Sequence, residues 1–186
     1  MRSMASPAPG AKRGLSIREL CIFSMLGAVL FASKIILEWA PNIHLLGMFI
    51  MVYTLTYRVK ALIPIYIYVM VNGIYAGFGT WWVPYLYVWT VLWAMTMVLP
   101  KKMPRWLCMV VYPIVCALHG FGFGVIYAPG QALLFGFNFK QTLAWIASGF
   151  YFDMIHGVSN FAVGFLILPL TRLLKQLNAR IGIQTP

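Results

Sequence analysis

Three polar side chains share one helix face in the last long apolar segment of the sequence. Asp153, His156 and Asn160 follow one another at intervals of three and four residues, which is the spacing of neighbours on a helix. Asp153 is expected near mid-membrane depth, where an ionisable group usually faces a protein interior or a wet cavity. The trio is therefore either a polar seam that packs this helix against its neighbours or the floor of a substrate cavity.

Four more polar residues, within or beside the apolar segments, are candidates for the same cavity. They are Asn42, His44, Asn72 and His119. His44, His119 and His156 form a conceivable metal site, but no two of them have the spacing of zinc ligands. We therefore predict neither a bound metal nor a cofactor.

A run of aromatic residues suggests how a substrate would be held. Five rings occur within nine residues, at Trp81, Trp82, Tyr85, Tyr87 and Trp89. An aromatic belt at a membrane interface needs only a ring or two at each helix end, so several of these rings must turn inward. Flat rings give a large contact area at low entropic cost. We predict that Trp81, Tyr85 and Trp89 contact the substrate, with Trp82 beside them.

The composition and the positions of the basic residues indicate a membrane protein. The chain is 62% hydrophobic and 9% charged, with a net charge of +11, whereas charged residues make up about a quarter of a soluble domain. Basic residues lie before the first apolar segment, in the second and fourth of the gaps between successive apolar segments, and after the last segment. Short basic loops stay in the cytoplasm, which predicts six crossings with both termini inside. Because the bases are scattered over four gaps, no nucleic-acid partner is expected.

These features predict an all-α integral membrane protein with one six-helix domain over 16–177. A disordered cytoplasmic tail is expected over 1–15 and a second cytoplasmic tail over 178–186. The helices are expected at about 17–39, 43–57, 61–77, 84–99, 106–127 and 141–177. Pro113 is expected to kink the fifth helix. The glycines and prolines of 127–140 predict a long outer loop that covers a site.

The first helix also carries features that concern partners and pairing. Ser24, Ala28 and Ala32 form a small-residue face that would let another helix approach closely. Lys34 and Glu38 lie one turn apart, so they either pair with each other or contact a polar ligand. The sequence contains no G-x-x-x-x-G-K-[ST] motif, so the chain does not bind ATP through a P-loop. Uphill transport would therefore need energy from partners.

A combination of motifs carries a family resemblance. The pair Ala28-x-x-x-Ala32 and the segments 41–43, 81–89 and 152–161 together resemble the substrate-binding S components of energy-coupling-factor (ECF) vitamin transporters, in one prokaryotic subgroup. The resemblance covers roughly 16–177. It implies a six-helix binding protein of a prokaryotic cell membrane, which holds a vitamin or cofactor precursor near the outer face with high affinity. It also implies that Ala28 and Ala32 contact a transmembrane coupling subunit (the T component), which sits on two ABC ATPases. No known vitamin's contact set maps onto the chain, so the vitamin stays open.

Two other function classes remain alternatives. An autonomous carrier or channel would need coupling groups or an internal repeat; the sequence shows no convincing repeat, although Asp153 and His156 could relay protons. A membrane enzyme of the lipid-modifying kind typically collects several acids with a metal. Glu19, Glu38 and Asp153 are the only acids of the chain and are scattered along it. We therefore do not expect an enzyme.

Overall fold

The structure, a computed structural model, describes residues 14–183. In this part of the chain it contains eight α-helices and one short 3-10 turn at Arg58–Ala61, and no β-strand. The fold class is therefore all-α, as predicted. Residues 1–13 of the tail expected over 1–15 lie outside the described part of the chain. The helices are α1 (Ile17–Ile36), α2 (Leu46–Tyr57), α3 (Leu62–Ala76), α4 (Trp82–Val98), α5 (Arg105–Phe121), α6 (Phe123–Phe135), α7 (Phe139–Gly164) and α8 (Ile167–Arg180).

Several helical stretches are suited to a membrane by length and composition. Ile17–Ile36, Leu46–Ala76 and Arg105–Phe135 are long and apolar enough to cross one, and α7 with α8 adds a fourth if that bent pair is one span. Helix α4 is apolar but shorter, at 17 residues. Apolar helices of this kind are compatible with a membrane protein, because a crossing takes about 20 residues.

The stretch Leu46–Ala76 reverses direction at the 3-10 turn. The rings of His44 and Tyr68 lie 6.1 and 6.3 Å from the ring of Trp89. On one straight helix, with a rise of about 1.5 Å per residue, Leu46 and Tyr68 would be roughly 33 Å apart. Arg58, with φ 53°, begins the turn. Helices α2 and α3 are therefore two separate legs, as the sequence predicts.

Helix α2 lies at the centre of the molecule. Ten of its 12 residues are buried. Its buried hydroxyls are satisfied locally, since Thr54 and Thr56 donate to the carbonyls of Ile50 and Val52 at 2.7 and 2.8 Å. Helix α2 therefore forms the core around which the other helices pack.

The second half of the chain differs from the prediction at its helix ends. The segment 127–140 was expected to be a loop, but α6 continues to Phe135, with Pro129 inside it. Gly136, in the left-handed conformation at φ 66°, ends that helix. Asn138 then starts α7 through a capping box with Gln141, so only three residues connect the two helices. The last predicted helix is also broken, with a bend of 52° between α7 and α8.

The remaining helix ends differ by a few residues. Helix α1 ends at Ile36 instead of about residue 39, and α2 begins at Leu46 instead of directly after Asn42. Helix α5 continues through Pro113, and the kink expected at this residue stays a prediction. Helix α8 extends to Arg180, past residue 177, where a tail was expected to begin. The two hydrogen bonds that join buried Asn178 to the Tyr57 hydroxyl, at 3.1 and 2.9 Å, hold this last turn in place.

The basic gaps of the sequence meet at one end of the bundle. Glu19 pairs with Lys60 at 2.5 Å, and Arg18 donates to the carbonyl of Ile181 at 2.6 Å. The guanidinium of Arg58 donates at 2.9 Å to a carbonyl in the last turn of α4. We call this region the basic end. It brings together the start of α1, the α2–α3 turn, the end of α4 and the end of α8.

Glycines hold α5 and α7 in close antiparallel contact. A Cβ atom on Gly120 would lie 2.8 Å from the Cα of Gly157, and a Cβ on Gly164 would lie 2.6 Å from the Cα of Pro113. Both distances are too short for any side chain, so the two backbones touch. The buried face of α7 therefore packs directly on α5 through Gly120, Gly157 and Gly164.

Candidate functional site

An aromatic ladder runs inward from the start of α4. The ring of Tyr85 lies 5.4 Å from that of Trp81 and 5.6 Å from that of Trp89, both edge to face. Trp89 is buried, and the other two rings are half-buried. Tyr127 of α6 braces the outer end by donating to the Trp81 carbonyl at 2.6 Å. The spacing of four residues between Trp81, Tyr85 and Trp89 thus produces one continuous row of edge-to-face rings.

The ladder ends in a closely packed group of rings at the middle of the bundle. Around the indole of Trp89, four ring centroids lie between 5.8 and 6.3 Å away, contributed by α3, α5, α6 and the segment before α2. A further histidine of α7 packs on two of them. We call these six residues the central ring cluster: His44, Tyr68, Trp89, His119, Phe123 and His156.

Three histidines from distant parts of the chain meet in this cluster. The rings of His44 and His156 are 4.3 Å apart, and those of His119 and His156 are 6.5 Å apart. Within residues 14–183, however, no three His, Cys, Asp or Glu side chains are arranged to hold a metal ion. The sequence spacing gave no sign that these histidines are neighbours, because each comes from a different element.

The cluster and its edges carry polar atoms that the protein leaves unpaired. In the described part of the chain, seven buried side-chain nitrogen and oxygen atoms have no hydrogen-bond partner in the protein. Five belong to the ring cluster, and the other two belong to Asn72 and Asn160, one helical turn from Tyr68 and His156. The atoms are His44 Nδ1, Tyr68 Oη, Asn72 Oδ1, Trp89 Nε1, His119 Nδ1, His156 Nε2 and Asn160 Oδ1.

The energetic cost of this arrangement is large. Each unsatisfied buried group costs about 1–3 kcal/mol, so the set costs on the order of the whole net stability of a domain, about 5–15 kcal/mol. Native proteins pair nearly all of their buried polar groups. A group of unpaired atoms around one set of rings is therefore a candidate binding site, at which water or another molecule would supply the partners.

Asp153 is placed differently from its two neighbours on α7. All three side chains are buried, with exposed fractions of 8% for Asp153, 1% for His156 and 0% for Asn160, so the predicted common face exists. The Asp153 carboxylate accepts a hydrogen bond from the Gly124 amide at 3.0 Å. That amide is in the first turn of α6, where backbone N–H groups lack partners inside the helix. Asp153 therefore joins α7 to α6, which favours the seam interpretation for this residue.

Two other predicted residues have identifiable structural contacts. The Ser159 hydroxyl lies 3.3 Å from the carbonyl of Asn42, at φ 58°, and 3.0 Å from the carbonyl of His156. Its single proton is therefore shared between the segment before α2 and the backbone of α7. The indole nitrogen of Trp82 donates to the Val69 carbonyl at 2.9 Å. Trp82 therefore fastens α4 to α3 and lies outside the ring cluster.

The first helix presents its small-residue face to the surroundings. Ser24, Ala28 and Ala32 are all exposed, while Gly27 on another face packs so closely that a Cβ there would lie 2.6 Å from the Ile67 side chain. The amine of Lys34 lies 2.6 Å from the Glu38 carboxylate, as expected for structural pairing.

Sequence reasoning missed three contributors to the site. Tyr68 had a usable signal, since it precedes Asn72 by four residues and so shares its face of α3. Phe123 and Tyr127 had none, because they lie in an apolar stretch whose helix was expected to end at Tyr127. Their position becomes visible only when α6 packs on α4.

Comparison of the chain with protein-family models, with curated proteins and with solved structures finds no match.

Proposed function

We propose that this chain is a six-span membrane protein that binds a small molecule in the central ring cluster and passes it on with energy from partner proteins. The observation that carries the proposal is the set of unpaired polar atoms around Trp89. A ligand that supplies their partners would recover much of their cost, which is a direct source of affinity. This role is that of the S components of ECF transporters, which the sequence resembles.

The path of the chain supports six crossings. Six helical legs follow one another: α1, α2, α3, α4, α5 with α6, and α7 with α8. Arg18 at the start of the first leg and Ile181 after the last are in contact, as an even number of crossings requires. We place the basic end in the cytoplasm, since basic segments resist translocation. Both termini would then be cytoplasmic.

The ring cluster lies in the opposite half of the bundle. His44 immediately precedes α2, whose other end is the Arg58 turn of the basic end. With 12 residues in α2, the two levels are separated by about 18 Å. The ligand would therefore enter from outside the cell, through the level of the Trp81 and Tyr85 rings.

Energy coupling would use the exposed face of α1. Ser24, Ala28 and Ala32 leave a shallow strip on which the helix of a transmembrane coupling subunit could pack closely. Two ABC ATPases bound to that subunit would supply the energy. From the resemblance to S components, we propose a vitamin or cofactor precursor as the cargo and a prokaryotic cell membrane as the location.

The contacts of the acids argue against the two alternatives. Glu19 and Glu38 each pair with a lysine, and Asp153 binds a backbone amide. These three acids do not converge on one site, as a lipid-modifying enzyme would need. An autonomous proton-coupled carrier would need Asp153 free to exchange protons, whereas here it is committed to the start of α6.

The test is to identify what the purified protein holds. Small molecules carried through purification in detergent are extracted and identified by mass spectrometry, without added nucleotide. Trp89→Phe keeps an aromatic group, although a smaller one, and removes one unpaired N–H group, so it should reduce the retained amount at least tenfold. Trp106→Phe is the matched control, because Trp106 is 68% exposed. Equal retention by the two variants, or concentrative uptake by the chain alone in liposomes, contradicts the proposal.

A further inference from the structure

The chemistry of the unpaired atoms restricts the class of ligand. Resting on the binding function proposed above, we infer that the central ring cluster takes a planar heterocycle that carries several N–H or O–H groups and no negative charge.

His119 is a hydrogen-bond acceptor toward the cluster. Its Nε2 lies 3.1 Å from the carbonyl oxygen of Val88, and a carbonyl only accepts. Nε2 therefore carries the ring proton, and in the neutral ring Nδ1 offers a lone pair. The neutral form is favoured because the side chain is fully buried and a buried charge without a partner is costly. The unpaired Nδ1 thus needs an N–H or O–H from the ligand.

Asn160 is an acceptor by the same reasoning. Its Nδ2 donates to the Cys116 carbonyl at 3.2 Å, which fixes the orientation of the amide. The unpaired Oδ1 accepts only. Asn72 has an unpaired amide atom at the edge of the cluster as well, but no hydrogen bond fixes the orientation of that amide. Two fixed acceptors therefore come from two different helices, α5 and α7.

Fixed donors are fewer than fixed acceptors. The indole N–H of Trp89 donates only, while the Tyr68 hydroxyl and the free nitrogens of His44 and His156 can take either role. A ligand that satisfies the set must bring at least two N–H or O–H donors, one for His119 Nδ1 and one for Asn160 Oδ1. Amino-substituted or hydroxyl-substituted nitrogen heterocycles have this pattern, whereas purely acceptor-bearing ligands such as carboxylates do not.

The cluster has no positive charge to offer. Among residues 14–183, the lysines and arginines whose contacts are described lie at the basic end or at the bundle surface, as Lys34 does with Glu38. The nearest formal charge along α7 is the carboxylate of Asp153, one turn from His156. Burying a carboxylate or phosphate without a cationic partner is strongly unfavourable. An anionic group on the ligand should therefore cost at least a hundredfold in affinity.

The packing of the rings favours a flat molecule. Trp89, His119 and His156 are buried among their neighbours, so a ligand must slide between rings. A planar molecule requires the rings of the cluster to move apart least, and it gains stacking and edge contacts of about 0.5–1.5 kcal/mol per ring pair. The stacked pair Tyr127 and Trp145, at 5.8 Å and 11°, provides parallel ring faces above the cluster.

The experiment uses matched pairs of probes that differ by an anionic group. The purified full chain in detergent is equilibrated with an equimolar mixture and the retained compounds are quantified by mass spectrometry. The pairs are nicotinamide and nicotinate, pyridoxine and its 5′-phosphate, riboflavin and its 5′-phosphate, and thiamin and its monophosphate. A second incubation uses a small-molecule extract of a bacterial culture, in which the charge and formula of any retained compound are read directly.

The outcomes separate a failure of the inferred ligand class from a failure of the binding function. Retention of an uncharged or cationic heterocycle, at least a hundredfold above its anionic counterpart, supports the inference. His119→Phe, which removes an acceptor and keeps a ring, should then weaken binding tenfold or more, and an unchanged affinity contradicts the assigned acceptor. If this variant does not fold, Trp89→Phe serves instead. Retention of an anion overturns the inference but leaves the binding function standing. Retention of nothing from either incubation overturns both.

Discussion

Removing one unpaired hydroxyl from the ring cluster should make the ligand-free protein more stable. Tyr68 is 0% exposed and its hydroxyl has no partner in the protein. Tyr68→Phe keeps the ring and its packing on Trp89 while it removes the unsatisfied group, so about 1–3 kcal/mol of unfolding free energy should be recovered. At about 2–4 °C per kcal/mol for a chain of this size, the melting temperature should rise by roughly 2–12 °C.

The same substitution at a second buried tyrosine is the matched control. Tyr57 is 2% exposed, but its hydroxyl pairs with both polar atoms of Asn178, at 3.1 and 2.9 Å. Tyr57→Phe leaves that amide unsatisfied and should lower stability by about 1–3 kcal/mol. Thermal unfolding of both variants in the same detergent, followed by tryptophan fluorescence, gives the comparison. If Tyr68→Phe also lowers the melting temperature, its hydroxyl is satisfied in the folded protein and the binding-site reasoning is wrong.

Three further predictions concern the framework and the partner surface. Asp153→Leu should lower stability by about 1–3 kcal/mol, because the Gly124 amide loses its acceptor. Asp153→Asn should lower stability less, since an amide oxygen still accepts. Equal melting temperatures for both variants and the parent would show that this contact is not structural. Gly120→Ala should lower the free energy of unfolding by about 1–3 kcal/mol through overpacking. Gly149→Ala, with nothing within 4 Å of the new methyl group, should be neutral or slightly stabilising. Similar losses of stability at both positions would contradict the close contact of α5 and α7. Ala28→Leu should abolish uptake in cells that supply the coupling subunit and ATPases while ligand binding by the purified chain stays unchanged, and surviving uptake would mean that another face docks.

The elements that the sequence predicted well are those governed by local periodicity. The face shared by Asp153, His156 and Asn160 follows from the helical repeat alone, and so does the ladder from Trp81 to Trp89. Both sets lie where the spacing places them, because each is carried by one uninterrupted helix, α7 for the polar trio and α4 with its N-cap residue for the ladder. The common location of the basic gaps was also predictable, since it depends only on the number of legs between them.

The errors come from places where tertiary packing overrides local signals. The segment 127–140 contains Pro129 and two glycines, which favour a loop. It nevertheless packs on α4 as a helix, which ends where Gly136 adopts the left-handed conformation. The meeting of His44, His119 and His156 depends on how three elements pack together, and no spacing in the chain encodes that distance. The central ring cluster could therefore be predicted only in part, as a list of candidate residues without their arrangement.

The direct backbone contact of Gly120 and Gly157 has a kinetic consequence. These glycines directly follow His119 and His156 in the chain, so that wall of the cluster cannot separate without breaking a direct contact between two backbones. The opposite wall carries His44 on the segment 37–45, which is joined to α7 by one hydrogen bond of 3.3 Å from Ser159 to Asn42. We expect that this segment moves to admit a molecule, on the microsecond-to-millisecond scale of loop closure. Association would then be slower than diffusion, with a rate set by the protein and not by the concentration of its ligand.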